Sequence, residues 1–158
     1  MGILCQNKGE NMDKILGTLK LKEVIENDYV KKLGKILERN VDMPNIHFAV
    51  GTDSSAEGTY VFSDEKGYNY IFTEKGKIRK HEITNDVPKI TYWVMNDVVF
   101  AFALEYATEF REAGQDFRRK LFQREKEIWE KLDEAGYARK CEEIKKTLEE
   151  NPYMDNLN

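Results

Sequence analysis

The sequence contains few of the residues on which disulfide-bonded and metal-binding proteins depend. Its 158 residues include two cysteines, Cys5 and Cys141, and two histidines, His47 and His81. The cysteines lie far apart and neither belongs to a CxxC motif, so no disulfide framework is expected and a reducing cytoplasm is the predicted location. A chain of this length can bury a sufficient core without such links, and it fits a single domain over residues 1–158.

Long apolar runs and basic segments are also missing. The longest apolar run, Val98 to Leu104, has seven residues, which is far too short to span a bilayer. The N-terminus lacks the charged start and apolar stretch of a signal peptide, so neither a leader nor a membrane partner is expected. The formal net charge is −4 and no segment is basic, which makes nucleic acid an unexpected partner. A mildly acidic surface instead favours encounter with a basic protein.

Catalytic and cofactor motifs are absent as well. The sequence contains no HExxH, P-loop, GxGxxG or GxSxG motif. A metal site would need His47 or His81 to meet Asp53 or Asp64 in the folded protein, and nothing in their spacing favours this. The polar stretch 51–58 could bind an anion through backbone amides, but a hairpin loop is the simpler interpretation. We therefore expect no enzyme activity, no cofactor and no metal.

Hydrophobic periodicity divides the rest into three blocks. The first, which ends at Pro44, repeats apolar residues at helical spacing. The second, from Ile46 to Thr84, alternates apolar and polar residues in four short runs separated by turns. This pattern predicts an antiparallel meander whose last, charged strand lies at an edge. The apolar residues of the first block are Leu19, Leu21, Val24, Ile25, Leu33, Ile36 and Leu37.

The third block predicts three helices. They cover residues 89 to about 113, residues 115 to about 134, and a last segment that follows a break at Gly136 and ends at Asn151. The first should be the most buried, because the run from Val98 to Leu104 is apolar on all sides. The three blocks together predict an α+β fold: a four-stranded antiparallel meander with an N-terminal helix and three C-terminal helices packed on one face.

Aromatic residues recur on two neighbouring strands of the predicted sheet. If they were exposed together on one face, they could stack on single-stranded RNA, but that function needs a basic surround. A core face beneath the helices is the favoured interpretation. A regulatory or RNA-binding domain that uses these aromatic residues remains the alternative function. They are Tyr60, Phe62, Tyr68, Tyr70 and Phe72.

One polar cluster breaks a local rule. Gly114 predicts a break between two helices, which places Arg118 and Arg119 in the first turn of the second helix. The helix dipole disfavours cations there by roughly 0.3–1 kcal/mol each, so a compensating partner is expected. Glu105 and Glu109, one turn apart on the preceding helix, could supply bidentate pairs if the chain folds back. The cluster predicts a structural clamp, with a partner-binding patch or an acid–base pair using Glu105 or Asp116 as alternatives. Its members are Glu105, Glu109, Arg111, Asp116, Arg118 and Arg119.

The same region carries a family resemblance. The patterns are Thr84-x-Asp86, Tyr92-Trp93-Val94, Ala103-x-x-Tyr106, Arg111-x-x-x-Gln115-Asp116-Phe117-Arg118-Arg119-x-Leu121-Phe122, Trp129 and Pro152-Tyr153-x-Asp155. Together they resemble the immunity protein 63 family of bacterial polymorphic toxin systems. The resemblance covers about residues 45–155, and most of it lies within residues 84–122. Residues 1–44 would then form a variable N-terminal helical segment outside this core.

The resemblance implies a small cytoplasmic bacterial protein that binds a toxin domain encoded beside it and blocks it without chemistry. The large residues shared with the family have helical spacing and are expected in the core. The toxin-binding surface is instead predicted on the acidic third block, because charged anchors at an exposed surface speed encounter and fix specificity. The candidate toxin-binding residues are Glu125, Glu127, Glu130, Asp133 and Glu134.

Overall fold

A computed structural model describes residues 14–49 and 57–156 of the chain. The predictions made for Cys5, for Asp53 and for most of the 51–58 stretch lie outside these residues. The N-terminal helical block consists of α1 (Thr18–Ile25), a π-helical turn (Glu26–Val30) and α2 (Lys31–Leu37). Helical backbone angles continue across both junctions, so the three segments form one helical stretch.

The second block forms a four-stranded sheet with the order β1-β2-β3-β4. Its strands are β1 (Ile46–His47), β2 (Gly58–Asp64), β3 (Gly67–Glu74) and β4 (Lys77–Thr84). The predicted charged edge strand is confirmed as β4, and both predicted turns join antiparallel hairpins. The fully antiparallel pairing is wrong, because the two residues of β1 pair with β2 in parallel. Alternation of apolar and polar residues does not reveal strand direction, and a hairpin cannot join parallel strands.

The third block forms α3 (Val87–Glu109), α4 (Phe117–Leu132) and α5 (Glu134–Glu150). The break at Gly114 is confirmed, and this glycine has a φ of 77° that favours a residue without a side chain. The predicted break at Gly136 is wrong. Asp133 separates α4 from α5, and its carboxylate accepts a hydrogen bond of 2.8 Å from the Gly136 N–H as the N-cap of α5.

Helix α3 is the centre of the core. One side of it packs on the sheet, where Trp93 meets Tyr70 edge to face at 6.0 Å between ring centroids. Another side packs on α4, where Tyr92 lies 5.0 Å from the ring of Trp129. Helix α5 packs on α4, so the domain is layered as sheet, α3 with the N-terminal helices, and then α4 with α5. The α+β prediction, with helices at both ends of the sheet sequence, is confirmed.

Helix α3 contains more buried residues than α4 or α5, so the prediction that it is the most buried of the three is confirmed. Its apolar run is nevertheless not covered all round, because Phe100 and Leu104 are 43% and 38% exposed. A helix that is apolar all round needs cover on every side, and the described residues leave this side of α3 open. Leu19, from the apolar repeat of the first block, is also exposed.

The sheet aromatics do not share one face. The cross-strand register places Tyr60 and Phe62 beside Ile71, whereas Tyr70 opposes Val61 on the helix-covered face. Tyr68, on that same covered face, accepts a hydrogen bond of 2.8 Å from the Leu16 N–H. Four of the five aromatics are buried and Phe72 alone is exposed. They are Tyr60, Phe62, Tyr68, Tyr70 and Phe72, and the described residues therefore present no aromatic platform for stacking bases.

Gly136 is required by the contact between α4 and α5. We expect Gly136→Ala to lower the free energy of unfolding by about 1–3 kcal/mol, because overpacking strains a filled core. A Cβ added there would lie 2.3 Å from the buried ring of Trp129. Gly17→Ala is the matched control, since an added Cβ there meets nothing within 4 Å. Equal denaturant midpoints for the two variants would show that the Trp129 ring moves aside freely.

Candidate functional site

The predicted clamp forms with different partners. Arg118 and Arg119 do lie in the first turn of α4, but neither pairs with Glu105 or Glu109. Glu105 instead receives a hydrogen bond of 2.9 Å from Arg39, just beyond α2, while Glu109 is exposed at the end of α3. The two arginines have nearer carboxylates, one at the N-cap of their own helix and one in the C-terminal segment. The pairing with Glu105 and Glu109 is therefore wrong, whereas the expectation of a compensating partner is met.

The actual pairing ties the C-terminal segment to the start of α4. Arg118 donates to the carboxylate of Asp116 at 2.9 and 3.2 Å, and its guanidinium also reaches the carbonyls of Asn151 and Pro152, each at 2.8 Å. Arg119 forms a bidentate pair with Asp155, with a shortest distance of 2.7 Å. We call this group the C-terminal latch; it consists of Asp116, Arg118, Arg119, Tyr153 and Asp155.

Tyr153 completes the latch. Its ring centroid lies 4.2 Å from the guanidinium carbon of Arg119 and 5.5 Å from that of Arg118. Stacking of this kind contributes about 0.5–1 kcal/mol at exposed sites. Arg111, the remaining cation of the predicted cluster, is not part of the latch and lies over the ring of Phe117 at 6.0 Å. The latch thus unites two sequence patterns, around Asp116 and around Tyr153, that are more than thirty residues apart.

The charges of the latch stabilise each other. Hydrogen bonds from the Arg118 side chain and from the Met154 and Arg118 N–H groups hold the pKa of Asp116 well below its usual range. Arg119 lowers the pKa of Asp155 in the same way. The Asp116 carboxylate caps α4 and places a negative charge at the positive end of its dipole, which offsets the cost of the two arginines. A carboxylate with a lowered pKa is a poor general base, so this arrangement gives no support to acid–base chemistry at Asp116.

A second charged group lies between α3, α4 and α5. The side chains of Glu125 and Lys140 are 5% and 8% exposed, and they form an ion pair at 3.4 Å. Lys140 also contacts Glu143 at 3.2 Å, and Glu143 accepts a hydrogen bond of 2.8 Å from the hydroxyl of Tyr92. Burial raises the pKa of Glu125, and Lys140 opposes this shift. The placement of Glu125 on the outer face of α4 is therefore wrong, because it continues the buried stripe of Leu121 and Ile128.

The other predicted toxin-binding residues remain at the surface. Glu130 and Glu134 are exposed. Glu127 is half-buried and contacts Arg124 at 3.4 Å, and Asp133 is occupied as the N-cap of α5. Whether any of these carboxylates binds a toxin stays a prediction.

A groove of about 490 Å³ lies where α3 is uncovered. One wall is the segment that follows α2, and the other is α3, with the start of β2 and Phe72 between them. Phe100 stands exposed on the α3 wall. We call this the α3 groove; its lining consists of Arg39, Asp42, Met43, Pro44, Asn45, Ile46, Gly58, Thr59, Phe72, Asp97, Val98, Phe100, Ala101, Phe102 and Glu105.

Asp97 is the half-buried carboxylate of the groove. Its Oδ2 atom accepts hydrogen bonds from the Tyr70 hydroxyl at 2.5 Å and from the Thr59 hydroxyl at 3.1 Å. Burial raises the pKa of Asp97, and the two hydrogen bonds oppose this shift. Asp97 also raises the pKa of Tyr70, together with burial of that phenol. The sequence analysis did not single out Asp97, although a carboxylate inside a largely apolar helix was the available signal.

The described residues give little support to a membrane-spanning or metal-binding function. Across residues 14–49 and 57–156, no helix is long and apolar enough to cross a membrane. The same residues bring together no group of three histidines, cysteines or carboxylates that could hold a metal. His81 lies on the far face of the sheet, 2.9 Å from the side-chain oxygen of Asn69, and His47 contacts the carbonyl of Glu57 at 3.2 Å.

These features define an α+β protein with a charged latch at one end of its helical layer and an apolar groove on its surface. The family model described as Immunity protein 63 matches residues 64–146, which is more than half of the chain, and the chain belongs to this family. The resemblance read from the sequence is thereby confirmed. No curated protein and no solved structure matches the chain. The matched region contains Asp116, Arg118 and Arg119, while Tyr153 and Asp155 of the latch lie beyond it.

The latch makes a prediction about stability. We expect Arg118→Ala to lower the free energy of unfolding by about 1–3 kcal/mol, because it leaves a partly buried carboxylate and two carbonyls without their donor. Arg118→Lys should recover only part of this loss, since an ammonium cannot form the same planar fork. Chemical denaturation at neutral pH measures both values.

The pH dependence of the unfolding free energy tests whether the Asp116–Arg118 pair causes this loss of stability. The lowered pKa of Asp116 means that its stabilising effect is present above the unfolded value of 3.8 and is lost as the pH falls through the lower folded value. The gap between wild type and Arg118→Ala should therefore be constant near neutral pH and shrink only in strong acid. A gap that already closes at pH 6 would contradict this account.

The buried ion pair makes a second prediction. Lys140→Met should cost about 3–5 kcal/mol, because Glu125 is left buried without a counter-charge. The double variant Glu125→Leu with Lys140→Met should regain most of that stability, since both desolvation penalties disappear. Denaturation of both single variants and the double variant gives the coupling energy. Purely additive effects would show that the two charges do not depend on each other.

Proposed function

We propose that this protein is an immunity protein that binds a cognate toxin domain in the bacterial cytoplasm and neutralises it by covering a functional surface, without chemistry of its own. Membership of the Immunity protein 63 family supports a toxin as the partner. The system would be a polymorphic toxin system, with the toxin encoded beside its inhibitor. A tight inhibitory interface of this kind buries roughly 1,200–2,000 Å² in total.

The observation that carries the proposal is the exposed apolar side of α3. Phe100 and Leu104, one turn apart on α3, are 43% and 38% exposed, and Phe72, which lines the groove with Phe100, is 37% exposed. Large apolar side chains that stay exposed together around a groove mark a surface that another molecule covers. Charged residues rim the apolar centre, with the Arg39–Glu105 pair on one side and Asp42 nearby. An apolar centre with a polar rim is the usual anatomy of a protein interface.

The acidic face of α4 and α5 remains a second candidate surface for the same function. Glu130 and Glu134 are exposed, and acidic groups would speed encounter with a basic toxin. Isolated solvated carboxylates contribute little affinity, however, whereas buried apolar anchors contribute most of it. We therefore assign the binding centre to the α3 groove and at most a steering role to Glu130 and Glu134.

The RNA-binding alternative receives less support. Stacking on single-stranded RNA needs exposed aromatic rings in a basic surround. Only Phe72 of the five sheet aromatics is exposed, and the groove beside it is lined by Asp42, Asp97 and Glu105. A phosphate backbone would be repelled by these carboxylates.

Two exposed phenylalanines, one on α3 and one directly after it, allow a matched test of function. We expect Phe100→Ser to weaken binding of the toxin domain encoded by the adjacent gene by about 30-fold or more, as loss of an interface anchor does. Phe110→Ser is the control, because Phe110 is 48% exposed at the end of α3 but does not line the groove. Titration calorimetry gives the affinities, and growth of cells expressing the toxin gives protection.

The binding and protection results distinguish the α3 groove from the acidic face of α4 and α5 as the binding centre. Loss of binding and protection with Phe100→Ser alone would support the groove as the centre. Loss with Glu130→Lys and Glu134→Lys, at unchanged affinity for Phe100→Ser, would transfer the centre to the acidic face. A wild-type protein that neither binds the toxin domain nor protects the cells would contradict the immunity function itself.

A further inference from the structure

The α3 groove combines apolar walls with an incompletely satisfied charge. Both hydrogen bonds to Asp97, from Tyr70 and Thr59, end on its Oδ2 atom. Among the described residues, no donor reaches its Oδ1 atom and no lysine or arginine lies within ion-pair distance of its carboxylate. The two lysines whose charges act on Asp97 lie beyond ion-pair distance and are engaged elsewhere, since Lys80 lies over the ring of Tyr70 at 5.7 Å and Lys140 pairs with Glu125. A half-buried carboxylate of this kind offers strong attraction to an incoming cation.

The charge balance of the lining points the same way. Three carboxylates line the groove, those of Asp42, Asp97 and Glu105, against the single cation of Arg39. That cation is already paired with Glu105 at 2.9 Å. The unpaired charge of the groove is therefore negative, and the complementary ligand is positive.

The walls suit a long side chain with a charged end. Met43, Phe72, Val98 and Phe100 give the groove an apolar surface against which methylene groups can pack. Arg39 shows how a guanidinium fits here, because its carbon lies 4.8 Å from the ring centroid of Phe102. Cations stack favourably on such aromatic faces.

Resting on the function proposed above, we propose that the α3 groove receives a basic side chain of the toxin, an arginine or a lysine, whose charge pairs with Asp97 and whose stem packs between Phe72 and Phe100. The residues that line the groove disfavour anions and metal ions as ligands. A phosphate or a carboxylate would be repelled, and the described part of the chain brings together no set of three side chains that could hold a metal ion. The basic side chain would act as the central anchor of the interface, surrounded by the exposed apolar residues of α3.

Asp97→Asn tests the charge while keeping the shape. The asparagine oxygen can still accept from Tyr70 and Thr59, so the fold is expected to survive. We expect affinity for the toxin domain to fall by about 30-fold or more, because the inserted cation would be left buried without a counter-charge. Glu109→Gln is the control, since Glu109 is exposed at the end of α3 and does not line the groove, and it should change affinity by less than about threefold.

A second variant tests the groove without removing Asp97. Ala101 is exposed, lines the groove and stands four residues after Asp97, which places the two side chains on the same face of α3. Ala101→Arg should fill the site with an internal guanidinium and weaken toxin binding by about tenfold or more. Ala101→Gln has comparable reach without the charge and should weaken binding much less.

The readouts distinguish this inference from the immunity function. If Asp97→Asn and Ala101→Arg both bind the toxin domain as tightly as wild type, the inference is wrong and the immunity function stands. If wild type does not bind that toxin domain, nuclear magnetic resonance titration with acetyl-arginine amide decides the inference. Shifts confined to Asp97, Thr59 and Phe100, absent with acetyl-citrulline amide and in Asp97→Asn, would support a cation site. Equal shifts with both probes, or none, would overturn it.

Discussion

The structure depends on how α3 distributes its apolar surface. The helix is apolar over most of its circumference, and the sheet covers one side through Tyr70 while α4 covers another through Trp129. Burying large side chains on these two sides supplies the main favourable free energy, at roughly 1.5–3 kcal/mol for each fully buried residue. The third side, with Phe100 and Leu104, has no cover among the described residues. Large apolar side chains exposed together are typical of a surface that another molecule covers, which is why we propose this side of α3 as the binding centre.

Some charged residues of this protein form ion pairs that hold the fold together, whereas the carboxylates of the α3 groove are not all paired. The latch and the Glu125–Lys140 pair satisfy one another inside the molecule, and they fix the ends and the spacing of α4 and α5. The family patterns fall on these structural ion pairs and on the core beside them. The family match includes only part of the α3 groove. Phe72 and the α3 wall lie within residues 64–146, whereas the wall formed by the segment after α2 lies outside them.

The sequence predicted what periodicity and local chemistry determine. Helical spacing, the two Gly-containing turns and Gly114 fixed the order of the elements, and the position of Arg118 and Arg119 in a helix N-terminus implied a partner. It could not identify that partner, because Asp155 lies 36 residues from Arg119 and is brought close only by the path of α5. The direction of β1 also depends on tertiary contacts rather than on alternation. Glu125 could have been recognised as buried, since it stands four residues after Leu121 on the apolar stripe.

Asp97 is where the demands of folding and of binding diverge. Burial raises its pKa, so the folded protein holds its proton more tightly than the unfolded chain. Its contribution to stability therefore falls as the pH rises through the folded value, and the ionised form of the carboxylate is a cost to the fold. Tyr70 and Thr59 offset part of this cost, but a neutral amide could accept the same two hydrogen bonds. The negative charge itself thus has no structural purpose that Asn would not serve, and a local conflict of this kind is expected at a functional site. The basic side chain that we propose to enter the groove would remove this conflict, because it would supply a counter-charge in an environment of low dielectric, where the attraction is strong.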